Sequence, residues 1–362
     1  MIRKSFLVSI ILLLSLSLLT ACGDNRTASQ ILEDALKKNA TVKSQSFNGF
    51  IELGLTFSDS FIQSAPPDEQ AILKSLKNIR LTYEGAMNAE PLEGEITFST
   101  EIPIGDLKTK IDLPILIKEE KVWIKVPQLP IPELQNYAGK FIELDLEELE
   151  KLSGVETLPT DPAKIAENTK IMNKMYYEEI FPLFFKSYGE TYFKKGDLKE
   201  VEVPKEIAAK QSVEFTLTQE QLEPFITSLL TDFAPKVLDI MAKTEYQAVT
   251  NLTTDQLNEA KKSIEEAKSE WEKNKGDLNK YIQNTSVKGV GVIDKEGYLA
   301  HTLFEIGADL SDPENPGTVS LKLKAQSSAL NINQKPTFKN TIPPSSGEII
   351  PFQDLINGLG GL

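Results

Sequence analysis

Apolar and polar residues alternate at period two through much of this chain, and that rhythm narrows its fold class more than any other signal. It is cleanest where Val319, Leu321, Leu323 and Ala325 interleave with Ser320, Lys322, Lys324 and Gln326. Successive side chains of a strand point to opposite faces, so the pattern makes one apolar face and one wet face. The same rhythm puts Phe47, Ile51, Leu53, Leu55 and Phe57 on one side of a strand. It recurs at Ile79/Leu81/Tyr83, Ile96/Phe98 and Ile111/Leu113/Ile115/Ile117. Glu119-Glu120-Lys121 then returns the chain into Val122/Ile124/Val126, which predicts a hairpin over 108–126. Further strands are expected at 140–145, at Val213/Phe215/Leu217, and at 287–293 and 298–306, the last two joined by a turn at 294–297. A doubly wound parallel sheet would be apolar throughout its strands. The alternation instead predicts an α+β fold with a large antiparallel sheet and helices against its apolar side.

Helical periods appear behind capping signals. Thr27 with Gln30, and Thr218 with Gln221, fit the Ser/Thr-x-x-Glu/Gln box. The first opens a helix over 27–38, with Ile31, Leu32, Ala35 and Leu36 on its stripe. One or two helical turns are expected at 70–76, and a longer helix runs from Asp161 toward Pro182, with Pro162 at its first position. Between 218 and 283 the pattern reads as an extended helical hairpin inserted between two strands. Its first arm carries Leu222, Phe225, Ile226, Leu229, Leu230 and Phe233, and Pro235 should kink or split it. Its second arm, from Thr254 or Asp255, carries a heptad-like seam of Leu257, Ala260, Ile264, Ala267 and Trp271. An intermolecular coiled coil is the rival reading of that seam. Aromatic residues concentrate between Tyr176 and Phe193, which reads as a packed hinge between helix and sheet, with an apolar ligand mouth as the alternative. One domain is expected over 27–344. A flexible tail follows over 345–362, ending in Gly358-Leu-Gly-Gly-Leu362, which has too little side chain to pack.

The N-terminus carries an address. Arg3 and Lys4 precede an apolar run over 6–19, and 1–21 reads as a signal peptide. As a helix the run would rise about 21 Å, short of the ~30 Å hydrocarbon core, which argues against a permanent span. It closes on Leu19-Thr20-Ala21-Cys22, which resembles the lipobox of bacterial lipoproteins. That resemblance implies a diacylglyceryl group on Cys22, further acyl chains such as palmitate, a short tether over 22–26, and a place on the extracytoplasmic face of a bacterial membrane. A plain secretory signal with a buried free thiol is the alternative.

Charge and composition exclude several function classes. The chain has 39 basic and 53 acidic residues, a net charge of −14, and removal of 1–21 takes away two more cations and no acid. Polyanions are repelled, so no nucleic-acid partner is expected. With one His and one Cys, and that Cys committed to lipid, neither a Cys/His metal site nor a Cys–His dyad is available. No phosphate-binding glycine loop, nucleophile elbow or H-E-x-x-H motif occurs. His301 sits in a strand without a nucleophile motif beside it and reads as structural. The acidic pairs 119–120, 147–148, 178–179 and 265–266 read as solvated, because sequence neighbours point apart. The segment with Asp309, Asp312, Glu314 and Asn315 lacks the spacing of a calcium loop. No catalytic residue, metal or cofactor is therefore expected.

The order of elements resembles the LolA-like envelope lipoproteins, a superfamily that includes lipoprotein carriers and mycobacterial lipid-binding lipoproteins. The resemblance rests on a capped helix just after the Cys, a broad meander, Phe141-Ile-Glu-Leu-Asp-Leu146 running into a helix, the Asp294-Lys-Glu-Gly-Tyr298 hairpin and the ending Asn331-Ile-Asn-Gln-Lys-Pro336. It implies a strongly curved half-open barrel with helices on the concave face, and binding of a lipid or lipoprotein acyl chain. Ile51, Leu53, Leu55, Leu81 and Leu323 are then the expected lining, with Leu222, Phe225 and Leu229 as its cover. A rival of another class is an envelope adaptor or sensor that meets a protein partner through the outer face of the helix around Trp271.

Overall fold

The computed structural model describes residues 24–75, 78–104, 107–119, 121–129, 135–145, 162–312 and 315–352. The expected signal peptide, Cys22, the pair 147–148 and the Gly358–Leu362 end lie outside them.

In chain order the strands are β1 (Ser44–Phe57), β2 (Asn78–Ala89), β3 (Leu92–Ile104), β4 (Leu107–Lys118), β5 (Lys121–Lys125), β6 (Phe141–Asp145), β7 (Phe193–Gly196), β8 (Ala209–Thr218), β9 (Ile282–Asp294), β10 (Leu299–Asp312), β11 (Asn315–Leu330) and β12 (Ile349–Pro351). They join in one open sheet of order β12-β6-β5-β4-β3-β2-β1-β11-β10-β9-β8-β7. All pairings are antiparallel except that of β12 with β6. Central β1 lies between β2 and β11, so the first strand stitches the two halves of the chain together. Each meander is otherwise built from sequence neighbours, as alternation with short turns requires.

Two glycines on β1 and β2 mark where neighbouring strands crowd this sheet. A Cβ on Gly49 would stand 2.2 Å from the Gln326 carbonyl oxygen of β11, and one on Gly85 would stand 2.2 Å from the Glu95 carbonyl oxygen of β3. Aromatic side chains fill the space the glycines leave: the Tyr83 ring tip lies 2.5 Å from the Gly49 Cβ position and the Phe47 ring 2.7 Å from that of Gly85. Such closeness occurs where adjacent strands turn toward one another on one face.

The described α-helices are α1 (Ala28–Asn39), α2 (Asp59–Ser64), α3 (Pro67–Ser75), α4 (Pro162–Asn173), α5 (Phe181–Tyr192), α6 (Gln219–Ser228), α7 (Ala234–Met241), α8 (Thr244–Thr250), α9 (Thr254–Asn274) and α10 (Leu278–Tyr281). The expected box at the start of α1 forms: Gln30 N donates to Thr27 Oγ1 at 3.2 Å and Thr27 N to Gln30 Oε1 at 2.9 Å. Pro235 acts as its missing N–H requires. The chain passes through a π turn at Leu229–Phe233 and restarts as α7 with proline in its first turn. Pro182 repeats this device after a π turn at Lys174–Ile180. The predicted hairpin at 218–283 is thus a chain of shorter helices. The segment expected to join its arms contains α8, which ends at Asn251 in the left-handed region.

The two faces of the sheet are covered differently. Helix α1 buries Ala28, Ile31 and Ala35 against Val213 and Ile293, and α5 and α6 bury Tyr188, Tyr192 and Leu222 against Leu217, with Phe184, Phe193, Phe215 and Phe225 around them. The expected aromatic hinge is therefore packed core at the β7–β10 end. On the opposite face the C-terminal segment lies across β2–β6. Buried Glu95 accepts Lys339 N at 2.5 Å and Asn340 N at 2.9 Å, while Ile342 and Ile349 pack on Leu116, Trp123 and Phe141. Beyond Pro344 the chain stays on the sheet, because Ile349–Pro351 pairs with β6.

His301 faces away from the helices and is 2% exposed, with Nδ1 2.9 Å from Ser328 Oγ. Burial pushes its pKa down. The neutral ring's contribution to stability is fully present above the unfolded-state value near 6.5 and is lost as pH falls through the lower folded value. Urea midpoints measured at pH 7.5 and 5.5 should fall less with acidification in His301→Gln than in the parent. Equal slopes would remove His301 as an acid-sensitive group.

Candidate functional site

Directly paired residues in antiparallel strands share a face, so the registers assemble the site by themselves. One row runs Leu81, Ile51, Ala325, Phe304, Gly289, Phe215, Phe193 across seven strands from β2 to β7. The next runs Ile79, Leu53, Leu323, Ile306, Val287, Leu217 from β2 to β8, and a third includes Leu55, Leu321 and Ala308. The five strand residues expected to line a ligand space, Ile51, Leu53, Leu55, Leu81 and Leu323, are brought together as neighbours on this one apolar face.

The expected cover is not brought over them. Leu222 and Phe225 pack on Leu217, Tyr188 and Tyr192, beside β8, and β8 is four strands away from β1. Leu229 opens the π turn that leads into α7. The reason is topological: β8 ends at Thr218 and α6 begins at Gln219, so the helix falls back on its own strand.

The central part of the face is left in water. Large apolar strand residues that remain most exposed among the described residues are Ile51, Ile79, Met87, Phe304 and Leu310, at 38–46%, and all five lie on this face. Helix α2 borders it at one end, where Phe61 stacks on Phe57 at 5.5 Å. Toward the helices, Gly289 and Gly291 leave a trough of about 180 Å³ lined by Leu32, Phe193, Val213, Phe215, Leu299 and Phe304. Phe304, Ile306 and Gly289 complete the site and were absent from the expected lining. Their alternation was visible in the sequence, but only the register shows that they abut Ile51 and Leu323.

Other clusters have structural work to do. Tyr246, wholly buried, donates to Glu179, which also pairs with Lys243. Burial, then the Glu179 hydrogen bond, raises the Tyr246 pKa. This cluster ties α8 to the π turn after α4. A groove of about 390 Å³ lies between the C-terminal segment and β4–β6, and its Lys118, Lys121 and Trp123 are engaged with Glu93 and Glu143. Asp309, considered above for calcium, accepts from Asn284 Nδ2 at 2.6 Å and Ser320 Oγ at 2.5 Å. Among the described residues no group of three or more His, Cys, Asp or Glu is placed to hold a metal ion, and no helix is long and apolar enough to cross a membrane. Trp271 points inward, donating from Nε1 to Thr227 Oγ1 at 2.8 Å, and the α9 seam packs along α7 and the π turn before it. The seam thus meets the protein's own helices. No family model and no curated protein matches the chain.

Proposed function

We propose that this protein is a lipid-anchored lipoprotein on the extracytoplasmic face of a bacterial membrane, and that it binds a hydrophobic ligand, a lipid or the acyl chain of another lipoprotein, without catalysis. One observation carries the reading: the exposed strand residues Ile51, Ile79, Met87, Phe304 and Leu310 share a single sheet face. Folded proteins rarely leave this many large apolar side chains of one sheet face wet unless something binds there. The crowding at Gly49 and Gly85 supports a sheet curved toward that face, in the manner of the LolA-like half-barrel. At about 4.8 Å per strand the Leu81–Phe193 row is about 29 Å long, roughly twice the ~15 Å depth of one lipid leaflet. Each methylene buried there contributes about 0.8 kcal/mol, so a single long chain can offset the cost of association.

The anchor and the ligand are tested separately. Cys22→Ser should move the protein from the membrane to the soluble fraction, because multiple acyl chains dominate its membrane affinity. Unchanged partition of that variant would count against the anchor. The soluble variant, examined by native mass spectrometry and by uptake of a fluorescent fatty acid, should carry copurifying lipid and bind the probe. Preparations that are repeatedly empty and also refuse the probe would overturn the ligand reading.

A further inference from the structure

The N-terminal tether is pinned where the described chain begins. Asp24 accepts from Arg26 N at 3.1 Å, from Arg26 Nε at 2.9 Å and from Arg26 Nη2 at 2.5 Å, and Arg26 reaches on to Asp34 of α1 at 2.5 Å. From the sheet, Lys195 Nζ donates to the Asp24 carbonyl oxygen at 2.5 Å. Lys195 lies on edge strand β7, paired with Val213, which lines the trough at the helical end of the apolar face. In the sequence only Gly23 separates Asp24 from Cys22. Two residues span at most about 7 Å.

We propose that this short, pinned tether lays the α1–β7 edge of the protein on the same bilayer that holds Cys22, so that the apolar face exchanges its ligand with that membrane rather than with one across a water gap. The inference rests on the proposed lipid anchor and ligand, and names the partner surface. A free linker of 22–26 would let the domain tumble. With Asp24 held by Arg26 and Lys195, its Cα is within about 7 Å of the Cys22 Cα. The edge that meets the headgroups then carries Lys195, on Asp24, and Lys194, which is 68% exposed although paired with Glu214. The trough under α1 begins one strand inside this edge, at buried Val213, and reaches exposed Phe304 on the apolar face.

The test uses full-length lipidated protein in phosphatidylglycerol/phosphatidylcholine vesicles containing a headgroup quencher, with a fluorophore at Lys199→Cys. A second form carries a Gly/Ser insertion of about 20 residues between Gly23 and Asp24, whose root-mean-square span is about 25 Å. Both should float with the vesicles. The unextended protein should be strongly quenched, and the insertion should cut quenching at least threefold. It should likewise slow uptake of a fluorescent fatty acid from the protein's own vesicle, while the soluble Cys22→Ser form binds that probe equally well with or without the insertion. Floating protein with equal quenching in both forms overturns this inference alone. Protein that does not float overturns the anchor and the inference with it, and a soluble form that never binds the probe overturns the ligand reading.

Discussion

Gly85→Ala is expected to destabilise the protein by about 3 kcal/mol, seen as a lower urea midpoint, although alanine is the smallest side chain that can be added. Its Cβ would meet the Glu95 carbonyl oxygen at 2.2 Å, the Phe47 ring at 2.7 Å and Ile96 Cα at 3.0 Å. The ring can rotate away, but the two backbone atoms belong to β3. Glu95 is held from its other side as well, because its buried carboxylate accepts the backbone N–H groups of Lys339 and Asn340. Relief therefore requires β2 and β3 to separate, and overpacking of this kind costs about 1–3 kcal/mol or more. Gly54→Ala is the matched control. Its nearest neighbours are Asn78 Oδ1 at 3.2 Å and Lys322 Cβ at 3.6 Å, both on side chains. It should be neutral or slightly stabilising, since alanine costs less conformational entropy than glycine. Equal stability of the two variants would mean that the strands at Gly85 can move apart freely, and the argument for a curved wall would go with it.

How much of this could be read beforehand depends on the range of the interaction. The faces of β1, β2, β4 and β11 were legible because side-chain direction in a strand is set residue by residue. The caps of α1 and α6 were legible because a capping box spans only four residues, and Thr218 N with Gln221 Oε1 closes at 3.0 Å as the pattern demands. Strand order was not legible. Nothing local tells Ser44–Phe57 that it will pair with Asn315–Leu330, and the return of Ile349–Pro351 to β6 depends on Ile342 and Ile349 finding Leu116 and Trp123. The site inherits this division. Its apolar strand face followed from alternation, but the placement of Leu222 and Phe225 required knowing that α6 folds back on β8. Short helices such as α2 and α8 escaped because six or seven residues hold too little periodicity; Asn251 was the one local signal for the end of α8.

Ile51→Glu combined with Phe304→Glu should lower affinity for a fluorescent fatty acid at least 30-fold while shifting the melting temperature little. The two residues belong to one row, each paired with Ala325, and are 43% and 38% exposed. Because they are already half in water, the folded protein loses little packing when they change. Substitutions at such positions usually stay within about 0.5 kcal/mol, apart from a modest loss of strand propensity. An acyl chain lying along the row would instead have to desolvate two carboxylates, or leave its methylenes in water beside them. A loss of about 2 kcal/mol corresponds to about 30-fold. Two added charges also deepen the net −14, so Asn48→Glu with Thr56→Glu serves as control: both sites are exposed on β1 and lie on its other face. That pair should leave affinity within twofold. If both pairs weaken binding equally, the ligand responds to overall charge. If neither does, the apolar face is not where it lies, and the exposure of Ile51 and Phe304 needs another cause. Only a large loss confined to the first pair joins the exposed surface to the ligand.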